Sequence, residues 1–177
     1  MTIGQLILDK GLDVVIKALA KLPMESRPTL LVAGRDTQQQ GRYQAELEAL
    51  AKHMGVTEHI QWLGFLPEVS RLYEQVDAMV CPSRVEPLGL VPLEAARFAL
   101  PTLAHDTGGF RETIRDGDTG WLVAREDVEA WARALSELQD QAEVQRRGQQ
   151  AWQHTREHFS PEVYQTGLMR VYDGLVG

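Results

Sequence analysis

A single cysteine, Cys81, stands in a chain of 177 residues. It excludes an internal disulfide and fits a reducing compartment, which points to the cytoplasm. Positive charge is scarce as well. Lys and Arg number 18 against 25 Asp and Glu, giving a net charge of −7. That balance argues against nucleic acid as a partner, because such binding needs a basic face to displace counterions. A phosphate site must therefore be local. No apolar run is long enough to cross a bilayer. The first residues, Met1-Thr-Ile-Gly-Gln-Leu6, lack the basic region and apolar stretch of a signal peptide. The spacing G-x-G-x-x-G is missing, so the Gly108-Gly109 pair is no dinucleotide fingerprint. Repeats, low-complexity tracts and linkers are missing too, and the length suits one domain, residues 1–177, with a full core.

What is present is strict alternation of apolar strands and amphipathic helices. After a short strand end at residues 1–8, Leu12, Val15, Ile16, Leu19 and Leu22 recur at helical spacing, and Pro23 ends that helix. Thr29 to Gly34 is a continuous apolar run, the pattern of a strand buried on both faces. A helix is predicted over Gln38–Met54, a strand over His59–Gly64, and a short helix from Pro67 through Tyr73. Strands follow at Asp77–Cys81, Leu100–His105 and Gly120–Val123, with helices at about Leu90–Ala99 and Phe110–Ile114 between them. The end is helical: Asp127–Leu138, Glu143–Phe159, and a last helix capped by Ser160 and running to about Leu175. This order predicts an α/β fold: a Rossmann-like parallel sheet of about six strands, helices on both faces, and extra C-terminal helices. Ligands of such sheets bind outside the carboxyl ends of the strands.

One of those strand ends organises the rest. Cys81-Pro-Ser-Arg-Val-Glu-Pro-Leu-Gly-Leu90 is a strand end, a Pro/Gly turn and a helix start, an arrangement that offers unpaired N–H groups to an anion. Glu86 and Glu94 flank that helix start. They are roughly 12 Å apart at ~1.5 Å per residue, too far to share a proton. They suit sugar hydroxyls at two ends of an extended ligand. Equally, Glu86 could serve the helix dipole and Glu94 the helix surface.

The run Pro82 to Ala95, with seven residues between its two glutamates, resembles the signature of family-4-type retaining glycosyltransferases of the GT-B fold. Asp9-Lys-Gly-Leu-Asp13 resembles that family's Glu-Lys-Gly loop. Leu31-Val-Ala-Gly34, Trp62-Leu-Gly-Phe65, Leu100-Pro101, Gly108-Gly109 with Glu112, and Asp116-Gly-Asp-Thr-Gly120 are similar and fall in the same order. The resemblance covers about residues 3–138 and implies the C-terminal, nucleotide-sugar-binding half of a GT-B enzyme. Such an enzyme transfers a hexose from a UDP- or GDP-sugar to an acceptor. The resemblance implies no metal and no cofactor beyond the donor. It places Glu94 at the ribose and Glu86 by the sugar and diphosphate. The N–H groups of Leu88, Gly89 and Leu90 fall near the phosphates, Lys10 on the leaving diphosphate, and the backbone around Arg35, Phe65 and Leu66 at the base. The acceptor-binding N-terminal domain is not in this chain. Two other readings stay open: a nucleotide-binding or structural remnant without catalysis, and another GT-B enzyme such as a sugar-nucleotide epimerase.

The chain departs from the family pattern at Gln5, where an Arg is common, and at Ala99, where a Gly is usual. Arg84, Arg35 and Arg111 are the candidates to compensate for Gln5. His154 and His158 are four apart on a helix but have no third ligand nearby, so a solvated face is expected. His105 lies at a strand end close to the site and is a candidate for touching the donor sugar. Cys81 and the four tryptophans, Trp62, Trp121, Trp131 and Trp152, are expected in the core.

Overall fold

The computed structural model describes residues 1–176. Six short parallel strands form the centre: β1 (Thr2–Ile3), β2 (Leu30–Ala33), β3 (Ile60–Gly64), β4 (Met79–Cys81), β5 (Thr102–His105) and β6 (Gly120–Val123). They make two three-stranded sheets, β1-β2-β3 and β4-β5-β6, with every pair parallel. Met1 joins the two edges. Its amino group donates to the Ala78 carbonyl at 2.8 Å, and the Val80 N–H donates to the Met1 carbonyl at 2.8 Å. Across the whole layer the strands therefore run 3-2-1-4-5-6. The winding reverses between β1 and β4, and there a crevice opens at the carboxyl ends.

Helices cover both faces, as the alternating pattern predicts. On one face α1 (Leu12–Lys21), α2 (Arg42–His53) and α6 (Val128–Glu137) enclose the main core. Trp131 of α6 is fully buried there. An aromatic ring of that kind removes ~150–250 Å² from water, on the order of 4–6 kcal/mol of transfer energy. The Asp127 carboxylate caps α6 by accepting the Ala130 N–H at 2.9 Å. On the other face lie α3 (Ser70–Tyr73), α4 (Leu90–Ala96) and α7 (Gln141–His158), with α5 (Phe110–Thr113) beside them. Arg147 of α7 stacks 4.0 Å from the Trp121 ring and donates to the Gly120 carbonyl, fastening α7 to β6. The last helix, α8 (Pro161–Val176), keeps Val163, Tyr164, Met169, Val171, Tyr172 and Leu175 exposed. Ser160 caps it as expected, its hydroxyl accepting the Val163 N–H at 3.3 Å.

Three predicted boundaries move. α2 begins at Arg42 and not at Gln38. The Asp36 carboxylate takes the N–H groups of Gln38, Gln39 and Tyr43, and Gln40 and Gly41 turn left-handed, so the segment closes on a side chain before the helix starts. Pro67 does not open a helix; α3 starts at Ser70. α4 ends at Ala96 because Ala99 has φ 53°, where the Leu100 N–H returns to the Ala95 carbonyl. That position normally belongs to glycine. Ala99→Gly should stabilise the fold by about 1 kcal/mol, read as a Tm about 2–4 °C higher. An unchanged or lower Tm would show that the turn holds no strain.

Among the predicted core residues, Trp121, Trp131 and Cys81 are buried, whereas Trp62 and Trp152 are only half-buried. His154 is not on a solvated face. It is buried, edge-on to Phe159 and beside His158, and burial lowers its pKa. Among the described residues no three His, Cys, Asp or Glu gather as metal ligands would.

Candidate functional site

Lys10 and Glu86 follow β1 and β4, the two strands at which the winding reverses. Lys10 ends a tight 3₁₀ turn, Leu8–Lys10, closed by left-handed Gly11. Its Nζ lies 3.0 Å from Glu86 Oε2. The other Glu86 oxygen accepts the Gly89 N–H at 3.3 Å, and the Glu86 carbonyl accepts the Gly109 N–H at 2.9 Å. The loops after β1, β4 and β5 therefore meet at one glutamate.

Arg84 keeps these loops in register. Its N–H donates to the Asp9 carbonyl at 2.7 Å. Its guanidinium forks onto Asp13 at 2.9 and 3.1 Å and also reaches the Leu8 carbonyl and Glu126. For Asp13, burial alone would raise the pKa, but the Arg84 and Lys17 hydrogen bonds outweigh it and hold the carboxyl below its usual value. A guanidinium with every arm occupied is not free for a phosphate. Arg111 is likewise engaged by Asp106, and Arg35 lies 4.8 Å over the Phe65 ring. Arg84 is thus not free to stand in for a cation at Gln5 and Arg111 is held by Asp106, whereas Arg35 shares a cavity with Gln5 and carries no ion pair among the described residues; Gln5 itself is exposed and also borders a 30 Å³ cavity with Lys10, Ser83 and Glu86.

A second cavity, about 350 Å³, opens at the carboxyl ends of β1, β2 and β3. Gln5, Gly34, Arg35, Phe65 and Leu66 are among its walls, so the strand-end residues expected at a base do share one hollow. Glu94 is exposed on α4, where its Oε2 accepts the Tyr73 hydroxyl at 3.0 Å. Gly89 is buried and caps α4 in a left-handed conformation, with Leu88 and Leu90 exposed on either side. A wider opening, 740 Å³, lies at the opposite strand ends near Leu30, Gln61 and Asp77, and none of the expected site residues borders it.

His105 is a core residue rather than a sugar contact. It is wholly buried, hydrogen-bonded to the Ser83 carbonyl at 3.3 Å and packed edge-on against Trp131. Burial pushes the Cys81 thiol up to about 12, so it is no nucleophile near neutral pH. Sequence reasoning missed two residues. Arg84 is not a spare cation, because Asp13, one helical turn beyond Lys10, holds it. Tyr73 is more than a helix end, because its hydroxyl reaches Glu94.

A doubly wound parallel sheet with charged groups gathered at its switch point places the chain among the Rossmann-like α/β domains, the class of which each half of a GT-B fold is made. The chain belongs to the glycosyl transferases group 1 family, whose model matches residues 1–154. The lipopolysaccharide core biosynthesis mannosyltransferase LpcC of Rhizobium leguminosarum bv. viciae is 33% identical over 176 residues, 98% of this chain and 50% of that protein. A glycogen synthase of Mycobacterium tuberculosis is 35% identical over 178 residues, 96% of this chain and 41% of that protein. Among solved structures, Anabaena Alr3699/HepE in complex with UDP aligns with a TM-score of 0.88 at 22% identity, over 98% of this chain and 48% of that one. The C-terminal domain of LpcC from Francisella tularensis aligns at 0.80 with 25% identity, over 90% of this chain and 85% of that one. The chain thus spans about half the length of the curated relatives it matches.

Proposed function

We propose that this chain is the donor-binding half of a retaining glycosyltransferase that moves a hexose from a nucleoside-diphosphate sugar to an acceptor. The observation that carries the reading is the Lys10–Glu86 pair at the switch point, beside the cavity walled by Arg35, Phe65 and Leu66. A base fits that cavity. The ribose offers two hydroxyl donors, and the exposed Glu94 carboxylate can accept both. The Lys10 ammonium and the N–H groups of Leu88 and Leu90 face the diphosphate, while Gly89 spends its N–H on the Glu86 carboxylate, which takes a sugar hydroxyl with its remaining acceptor sites. As the bond to the sugar breaks, negative charge grows on the diphosphate, and a preplaced cation there lowers the barrier. UDP and UDP-glucose in HepE, and the mannosyltransferase relative, support a sugar-nucleotide donor.

The acceptor belongs, in this reading, to an N-terminal domain facing the same strand ends. Leu8, Val85, Leu88 and Leu90 are exposed along that rim, which suits a face covered by a second domain. We place the enzyme in the cytoplasm, in keeping with one buried, unpaired Cys81. The uncharged Gln5 beside Lys10 is the one observation that favours the alternative, a binding domain without turnover.

Nucleotide binding tests the reading. UDP, GDP and ADP are titrated against the protein by thermal shift and calorimetry. At ~100 times its dissociation constant the matching nucleotide should stabilise by about 2.7 kcal/mol, roughly 5–10 °C in Tm. Absence of any shift at millimolar nucleotide overturns the donor site. Glu94→Ala should abolish most of the shift, and a shift that survives it overturns the ribose contact.

A further inference from the structure

Glu94 has a partner that its proposed task alone does not require. Tyr73 closes α3 and is buried to within 4% of its surface, packed with Met79, Ala95 and Leu100. Its ring stacks on Phe98 with centroids 5.0 Å apart and planes 11° apart. From this fixed ring the hydroxyl reaches Glu94 Oε2 at 3.0 Å. An exposed glutamate otherwise samples several rotamers, and a ligand that needs one of them bears the loss of that freedom.

We infer that Tyr73 is a positioning residue for the ribose: its hydroxyl holds one oxygen of Glu94 so that the carboxylate is set for the sugar diol before the nucleotide arrives. The inference rests on the donor-site reading above. The valence count allows it. A carboxylate has about four acceptor sites, so after the Tyr73 bond Oε2 keeps one and Oε1 keeps both. Two ribose hydroxyls can then be accepted without displacing the phenol. Burial, with Glu94 beside it, pushes the phenol pKa far up, so the hydroxyl stays a donor across the working range. The contact also links α3 to α4, the helix that carries Glu94, and so ties ribose recognition to the packing beneath it.

Tyr73→Phe keeps the ring and its stack and removes only the donor. The test measures calorimetric dissociation constants for UDP, GDP and ADP, and for the 2′-deoxy form of whichever binds tightest. The variant should bind the ribonucleotide about five- to tenfold more weakly and the 2′-deoxynucleotide, which keeps only its 3′-hydroxyl for Glu94, more weakly by a clearly smaller factor. In a Glu94→Gln background, Tyr73→Phe should cost much less. Equal weakening of both nucleotides, or none, overturns the inference while leaving the donor site intact, since a packing defect does not discriminate by a ribose hydroxyl. Failure of all three ribonucleotides to bind the unchanged protein overturns the donor site and the inference with it.

Discussion

Lys10→Ala should weaken UDP, or whichever nucleoside diphosphate the protein prefers, about 100-fold, and the matching monophosphate far less. A charge-assisted hydrogen bond to a phosphate contributes about 1.5–3 kcal/mol, which is roughly 10- to 150-fold in affinity. The upper part of that range applies here because of Glu86. Its carboxylate lies 3.0 Å from the ammonium and is only 17% exposed. Without Lys10 it faces the diphosphate as an uncompensated like charge. Lys10→Ala/Glu86→Gln should therefore recover several-fold of the lost affinity, a coupling that a double-mutant cycle by calorimetry measures directly. Folding should hardly notice the change. Lys10 is 39% exposed, and ion pairs so open to solvent contribute about 0–1 kcal/mol. A lysine that holds little of the fold yet stands at the switch point suits the diphosphate contact proposed for it. Binding of the diphosphate within twofold of the unchanged protein would remove Lys10 from the site.

The strand order explains why so much of this was legible in the sequence. Apolar runs such as Thr29–Gly34 and the helical spacing of Leu12 to Leu22 fix which elements form, and alternation then forces parallel strands with ligands at one end. The loops at that end, which hold Lys10, Arg35, Phe65 and Glu86, could be located because they follow strands, and the resemblance to the glycosyltransferase signature singled out those residues within them. Side-chain contacts across the chain were not legible. Arg84 and Asp13 are 71 positions apart, Tyr73 and Glu94 are 21, and no local pattern signals either bond. The misplaced start of α2 has a nearer cause. Asp36 competes for backbone N–H groups where the apolar spacing alone continues a helix. His154 failed for a similar reason. A polar helix can still bury one imidazole, and spacing does not say which face turns inward.

Gly108→Ala should destabilise the protein by about 2–4 kcal/mol and loosen the site together with the fold. Gly108 sits at φ 47°, and a Cβ there would run into the Glu86 carbonyl oxygen, a backbone atom that cannot rotate away. The strain of the left-handed conformation costs about 1–2 kcal/mol for a non-glycine residue, and forced overpacking about 1–3 more. Gly117 provides the control. It has φ 76° with open space around its Cβ position, so Gly117→Ala bears the backbone term alone, about 1 kcal/mol. Urea denaturation of both variants separates the two contributions. The excess in Gly108→Ala is the close approach of the β5 loop to Glu86. If that approach is what holds Glu86 against Lys10, the glycine variant should also lose nucleotide affinity, whereas Gly117→Ala should not. Equal destabilisation by the two variants would mean that the Gly108-Gly109 turn gives way easily. The Gly109 N–H bond to the Glu86 carbonyl, at 2.9 Å, would then not be what positions the glutamate.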